Sequence, residues 1–107
     1  MRPEISIICE TWVRAVHPQK IILFGSHATG DAGRESDLDF LVIWENALMP
    51  SNRQKSIHLR RLLPRNVHVP IDLIVMTPEQ YQEATTDTRT FTSQISRQGK
   101  VLYESLS

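Results

Sequence analysis

Three aspartates carry the chemistry most readily read from this chain. Asp37 and Asp39 flank Leu38 at the head of the apolar run Phe40-Leu41-Val42-Ile43-Trp44. A strand has a side-chain period of two, so both carboxylates face one side, with Cα atoms roughly 6.5 to 7 Å apart. Two like charges entering a buried strand repel each other and lose solvation. Either one takes a proton or a cation sits between them. An isolated Asp-x-Asp is also what a strand end capped in solvent looks like. Asp72 adds a third acid, interrupting Val69-Pro70-Ile71-Asp72-Leu73-Ile74-Val75-Met76, a stretch otherwise apolar enough for a core strand. An aspartate there is costly unless it is paired, hydrogen-bonded or bound to a cation. With the two strands adjacent, three carboxylates converge. Hard oxygen ligands in that number suit Mg²⁺ or Mn²⁺, which bind through a few carboxylates plus substrate phosphates.

Upstream, Ile21-Ile22-Leu23-Phe24 runs into Gly25-Ser26-His27-Ala28-Thr29-Gly30. A strand that ends in Gly-Ser before a helical turn exposes backbone N–H groups and a hydroxyl, the ingredients of a phosphate cradle. A plain turn has the same sequence. It is not a Walker A loop, because no Gly-Lys-Ser/Thr follows.

The elements that must hold these groups follow from periodicity. Ile5, Ile8, Cys9, Trp12, Val13 and Val16 mark one buried face of a first helix. Pro18 ends it and pushes His17 toward an extended conformation. Residues 20–24 read as a buried strand, 26–29 as a helical turn stopped by Gly30, and 31–35 as a loop. Residues 37–44 form a second strand, 52–63 a helix ending before Pro64, and 67–76 a third strand. Thr77, Pro78 and Gln80 predict a capped helix start, with Thr77 and Gln80 in reciprocal capping positions. Phe91 and Ile95 mark a last helix terminated by Gly99, and 100–104 form a short tail strand. Strands alternating with helices predict an α/β or α+β arrangement: a small mixed sheet flanked by helices.

Length and charge bound what such a chain can be. Its 107 residues are 40% hydrophobic and 22% charged, an ordinary globular composition that excludes disorder and collagen and fits one domain over 1–107. Twelve basic and twelve acidic residues cancel, which gives no support to direct nucleic-acid binding. The balance hides a local polarity. Residues 31–45 carry five acids against Arg34, whereas 46–71 carry Arg53, Lys55, Arg60, Arg61 and Arg65 with no acid. That basic stretch reads either as a solvated helix face or as a surface for phosphate or an acidic partner. The single cysteine, Cys9, cannot form an internal disulfide, fits a reducing compartment, and sits on the apolar helix face as a core residue. No signal peptide opens the sequence and no run approaches a membrane span, so the expectation is a cytoplasmic protein without membrane contact. His17, His58 and His68 lack metal-ligand spacing; His27, beside Ser26, is the histidine nearest the candidate site.

Taken jointly, Gly25-Ser26, ten intervening residues, Asp37-x-Asp39 and Asp72 on a later strand resemble the DNA polymerase β-type nucleotidyltransferase superfamily. The likeness is greatest to its minimal branch, the MntA-like antitoxins encoded beside HEPN-domain toxins. The resemblance runs from Ile21 through Thr77-Pro78-Glu79 to Gly99-Lys100-Val101-Leu102-Tyr103 and implies a polymerase β-like nucleotidyltransferase fold. It implies that Gly25 and Ser26 hold the terminal phosphates of ATP, and that Asp37, Asp39 and Asp72 bind two divalent ions, Mg²⁺ or alternatively Mn²⁺. Asp72 would complete the site for the ion that activates an acceptor hydroxyl, and would itself accept the proton. The implied reaction moves AMP from ATP to a hydroxyl of a protein acceptor, a tyrosine of a cognate HEPN RNase toxin. The implied state is a hetero-oligomer with that toxin. A short chain leaves little room for an acceptor domain, which also points to a docked partner. Many relatives carry arginines after Gly-Ser, where this chain has His27 and Thr29. Phosphate contact then falls to Arg34 or to the basic helix. The alternative is a catalytically silent module that neutralises its toxin by contact alone.

Overall fold

A computed structural model describes residues 2–29 and 37–105. The loop expected over 31–35, the stop at Gly30 and the side chain of Arg34 lie outside the described residues. Four strands, β1 (Lys20–Phe24), β2 (Leu38–Ile43), β3 (Ile71–Met76) and β4 (Lys100–Glu104), form one sheet in the order β3-β2-β1-β4. β1 pairs antiparallel with both β2 and β4, while β2 and β3 are parallel. The helices are α1 (Pro3–Val16), the single turn α2 (Ser26–Thr29), α3 (Asn52–Arg61), α4 (Pro78–Thr86) and α5 (Phe91–Gln98). This is the mixed sheet flanked by helices that the sequence predicts.

The apolar runs of β1 and β2 bury both faces, so the sheet has two cores. On one face Ile21, Leu23, Leu38, Phe40 and Val42 meet Ile5, Ile8 and Trp12 of α1 and Leu59 of α3. On the other, Ile22, Leu41 and Ile43 meet Ile95 of α5, with Phe24, Ile74, Met76 and Tyr81 packed around them. Trp12 ties the first core together. Its ring packs edge-on to Phe40 at 5.2 Å between centroids, and its Nε1–H donates to the Leu59 carbonyl at 2.8 Å. That carbonyl lies in the last turn of α3, where it also accepts from the Leu62 N–H at 3.2 Å. Burial first, and then the charge of Glu10, push the Cys9 thiol above its ordinary pKa, as a packing residue requires.

Several boundaries differ from the sequence reading, each for a local reason. His17 is not extended but left-handed, at φ 49° and ψ 61°. Its N–H bonds to the Val13 carbonyl at 3.1 Å, closing the last turn of α1 before Pro18, which has no N–H to offer. α3 stops at Arg61 rather than 63, with Leu62 and Leu63 held by tighter bonds to Leu59 and Arg60. β3 starts at Ile71 rather than 67, because Val67 turns back to the Pro64 carbonyl and Pro70 cannot donate to a ladder. Thr77 and Gln80 form the reciprocal capping box that the sequence predicts. Gly99 ends α5 as expected, yet in extended geometry. Its need for glycine is steric: a Cβ would lie 2.6 Å from both Ile22 Cγ2 and the Ile95 carbonyl oxygen.

The basic stretch divides in two. Arg53, Arg60, Arg61 and Arg65 are exposed, whereas Lys55, one turn before Leu59, is 1% exposed. The reading of a uniformly solvated face therefore fails at Lys55. Arg60 instead reaches across to donate to the Ile71 carbonyl at 3.0 Å, fastening the end of α3 to the entrance of β3. Among the described residues no helix is long and apolar enough to cross a membrane.

Phe40, wholly buried against Trp12, is the residue whose truncation tests this core. Phe40→Ala is expected to cost about 3 to 5 kcal/mol in urea unfolding. A loss below about 1 kcal/mol would mean that the Trp12–Phe40 contact does not organise the α1 face.

Candidate active site

Register decides where the acids go. In the parallel β2–β3 pair Asp39 stands directly beside Asp72, and the same ladder sets Leu41 beside Ile74 and Ile43 beside Met76. Leu41, Ile43, Ile74 and Met76 belong to the α4–α5 core, so alternation carries Asp39 and Asp72 to that same face. Asp37 lies one residue ahead of β2. Burial, followed by the charges of Asp72 and then Asp37, raises the pKa of Asp39, while nearby His27 draws it down. The structure thus brings Asp37, Asp39 and Asp72 together at the entrances of two parallel strands. They are gathered but not closed. Asp37 and Asp72 are exposed, and among the described residues no three His, Cys, Asp or Glu side chains form a cluster able to hold a metal ion.

β1 runs antiparallel, so its end meets the same place: Phe24 pairs with Asp39. Gly25 follows at φ 73°, a left-handed turn whose carbonyl accepts from the Ala28 N–H at 3.1 Å as α2 begins. A Cβ on Gly25 would collide with Asp39 Oδ2. Glycine is therefore required twice, for its dihedral and for the approach of the carboxylate. Ser26 and His27, both half-buried, open α2 beside this contact.

A cleft of about 370 Å³ opens over these groups. The end of β1 (Phe24, Gly25) and the pair Asp39 and Asp72 form one side, and the α5 residues Phe91, Gln94, Ile95 and Gln98, with Gly99, form the other. Phe91 is 59% exposed and meets Phe24 edge to face at 5.8 Å. Sequence reasoning missed this α5 wall. Phe91 and Ile95 signal only a helix, and nothing in their spacing says which strand end the helix will cover.

The three groups are carboxylates, the donor type that hard divalent cations take, although among the described residues they do not close into a metal-holding cluster. Like-charged carboxylates crowd one face, Asp39 already holds its proton more tightly than usual, and two partners remain open to water. Mg²⁺ is commonly held by one or two carboxylates, with phosphates and water completing its shell.

Comparison with known proteins agrees with this fold. The family model described as "Polymerase beta, Nucleotidyltransferase" matches residues 7–106. No curated protein shows a significant match. Among solved structures, a candidate nucleotidyltransferase from Sulfolobus solfataricus superposes with a TM-score of 0.60 at 17% identity, covering 94% of this chain and 83% of that one. A toxin–antitoxin structure with AMP-PNP superposes with a TM-score of 0.62 at 22% identity, covering 98% of this chain and 76% of that one.

Two substitutions test the crowding. Gly25→Ala forces a Cβ into Asp39 and is expected to destabilise by more than about 1 kcal/mol. Combined with Asp39→Ala, part of that loss should return, a non-additivity visible in a double-mutant cycle. An acid whose pKa rises on folding costs stability as pH climbs through its ordinary value of about 4, because the folded state keeps the proton longer. Asp39→Asn, measured in EDTA, should therefore unfold at higher temperature than the parent at neutral pH and lose that advantage in acid. A lower melting point at neutral pH would refute the crowding.

Proposed function

This chain belongs to the polymerase β nucleotidyltransferase family, and we propose that within it the protein transfers AMP from ATP to a hydroxyl of a protein acceptor. The acceptor proposed is a tyrosine of a HEPN-type RNase toxin, which makes this chain the antitoxin of the pair. The carrying observation is the register that sets Asp39 beside Asp72 on the face where Gly25 closes the end of β1. Likeness to a toxin–antitoxin structure containing AMP-PNP supports the choice of partner and nucleotide.

In this reading each residue has a distinct task. Gly25, lacking a side chain, lets a phosphate approach the backbone, and Ser26 adds a hydroxyl donor at the start of α2. Asp37, Asp39 and Asp72 hold Mg²⁺, or Mn²⁺ in its place. Bound there, two such ions would neutralise phosphate charge and activate the acceptor hydroxyl for in-line displacement. Asp72, exposed on the outer strand, accepts the proton as the acceptor oxygen bonds to the α-phosphorus. The bond from that phosphorus to the bridging oxygen breaks, and pyrophosphate departs with both electrons of that bond. Asp37 and Asp39 lie on the nucleotide side. One domain over 1–107 supplies all of these groups, and the acceptor arrives on another molecule.

Incubation with α-labelled ATP, Mg²⁺ and the candidate toxin gives the direct test. Label should appear on the toxin, and Asp37→Ala, Asp39→Ala and EDTA should each reduce it at least about a hundredfold, the scale of an essential charge-stabilising group. Neutralisation of the toxin without label transfer, unaltered in both variants, would replace catalysis with inhibition by contact.

A further inference from the structure

The α5 side of the cleft has a chemistry that the phosphate site does not use. Phe91, Gln94 and Gln98 lie at i, i+3 and i+7, on one helix face turned to the cleft. Ile95, 3% exposed, anchors that face in the core, and the Thr90 hydroxyl caps α5 by accepting from the Ser93 N–H at 3.0 Å. The wall is therefore rigid. Its cleft side carries no charge: Arg97 is engaged elsewhere, donating to the Thr88 carbonyl and the Ser93 hydroxyl. A triphosphate finds no cation there, and it would face Asp39 and Asp72. An uncharged aromatic ligand finds a match.

We infer that this wall is the platform for the nucleobase of a purine nucleoside triphosphate, with Phe91 stacking on the ring and Gln94 and Gln98 meeting its edge. The inference rests on the nucleotidyl-transfer reading above. Phe91 leans on Phe24, the residue before Gly25, so the aromatic surface begins where the proposed phosphate cradle ends. Gln94 Nε2 donates to Gln98 Oε1 at 3.3 Å. That bond leaves the Gln94 carbonyl as an acceptor and the Gln98 amide as a donor. Side by side they complement a purine edge that presents a donor beside an acceptor. Phe91 supplies an aromatic face on which a base can stack, and the donor beside an acceptor at the glutamine pair is what selects the purine edge. The cleft volume of about 370 Å³ falls within the usual range for small-molecule sites.

Equilibrium binding with Mg²⁺ separates base from phosphate, using α,β-methylene ATP and inorganic tripolyphosphate as probes. Phe91→Ala should weaken the ATP analogue about tenfold, within the span that stacking on one aromatic supports, and leave tripolyphosphate unchanged. Phe91→Trp should restore affinity, and Gln98→Ala should weaken only the nucleotide. Because Phe91 is largely exposed, its truncation removes only the edge contact with Phe24 and should lower the unfolding midpoint only slightly. Equal losses for both probes, or none for either, would overturn the platform, as would unchanged nucleotide affinity with impaired transfer, which assigns Phe91 to the acceptor. If the parent binds neither probe, nucleotidyl transfer fails together with the platform. If the parent binds the analogue and Phe91→Ala binds it equally well, the platform alone fails.

Discussion

The parallel register that lays Asp39 beside Asp72 is the constraint on which the rest of the molecule turns. Neighbouring strands stand about 4.8 Å apart at the backbone, and from there the charge of Asp72 adds to burial in raising the pKa of Asp39. Asp37 adds a third negative charge, and His27 offsets only part of it. A fold that merely sought stability would place apolar residues at these strand entrances, as it does along the remainder of β2. The crowding reaches the end of β1 as well, where the approach of the Asp39 carboxylate leaves no room for a Cβ on Gly25.

Holding like charges together requires a scaffold that cannot slip. A one-residue shift of β3 would send Asp72 to the α1 face and bring Ile71 or Leu73 into the cleft. The register is fixed from both ends by α3. Arg60 ties the helix terminus to the Ile71 carbonyl, and Asn52 at the helix start donates to Gln80, which in turn accepts from the Thr77 backbone at the exit of β3. The Leu38 N–H donating to the Pro70 carbonyl, and the Trp44 N–H donating to Met76, extend the ladder beyond both strand ends. Two-sided burial of Ile21, Ile22 and Leu23 in β1 and of Phe40 through Ile43 in β2 supplies the rigidity. The acids themselves sit where the sheet meets water, which keeps their solvation cost bearable and their oxygens accessible.

Much of this was legible in the sequence because the deciding signals are local. An apolar run interrupted by one acid is visible as Asp72, alternation puts Asp37 and Asp39 on one side, and Thr77-Pro78-x-Gln80 encodes its own helix start. Strand and helix types followed, and so did the mixed sheet. What was not legible depends on partners distant in the chain. The left-handed His17 answers a hydrogen bond to Val13 that overrides the preference imposed by Pro18. Lys55 reads as a solvated cation until α3 is rolled onto the sheet with Leu59 inward, which draws the lysine stem in as well. Gly25-Ser26 reads equally as a phosphate cradle or a plain turn, and the close approach of the Asp39 carboxylate that demands glycine there depends on the pairing of Phe24 with Asp39 on the next strand. The α5 wall escaped altogether, since a helix more than fifty residues after Asp37 covers the site only through the β3-β2-β1-β4 order.

That strand order also governs how a second reactant can arrive. β3 is an outer strand, with β2 as its neighbour in the described sheet, so Asp72 has protein on one side and water on the other. Toward β1 the cleft is closed by Gly25, Phe24 and the α5 wall, which leaves that side for a compact ligand held by the chain itself. Among the described residues Asp72 is exposed at the β3 edge, with Asp39 between it and β1. The asymmetry divides the labour among the carboxylates. Asp39, half-buried between its neighbours, is suited to keeping a fixed position. Asp72, exposed at the sheet's edge, keeps its carboxylate in contact with water.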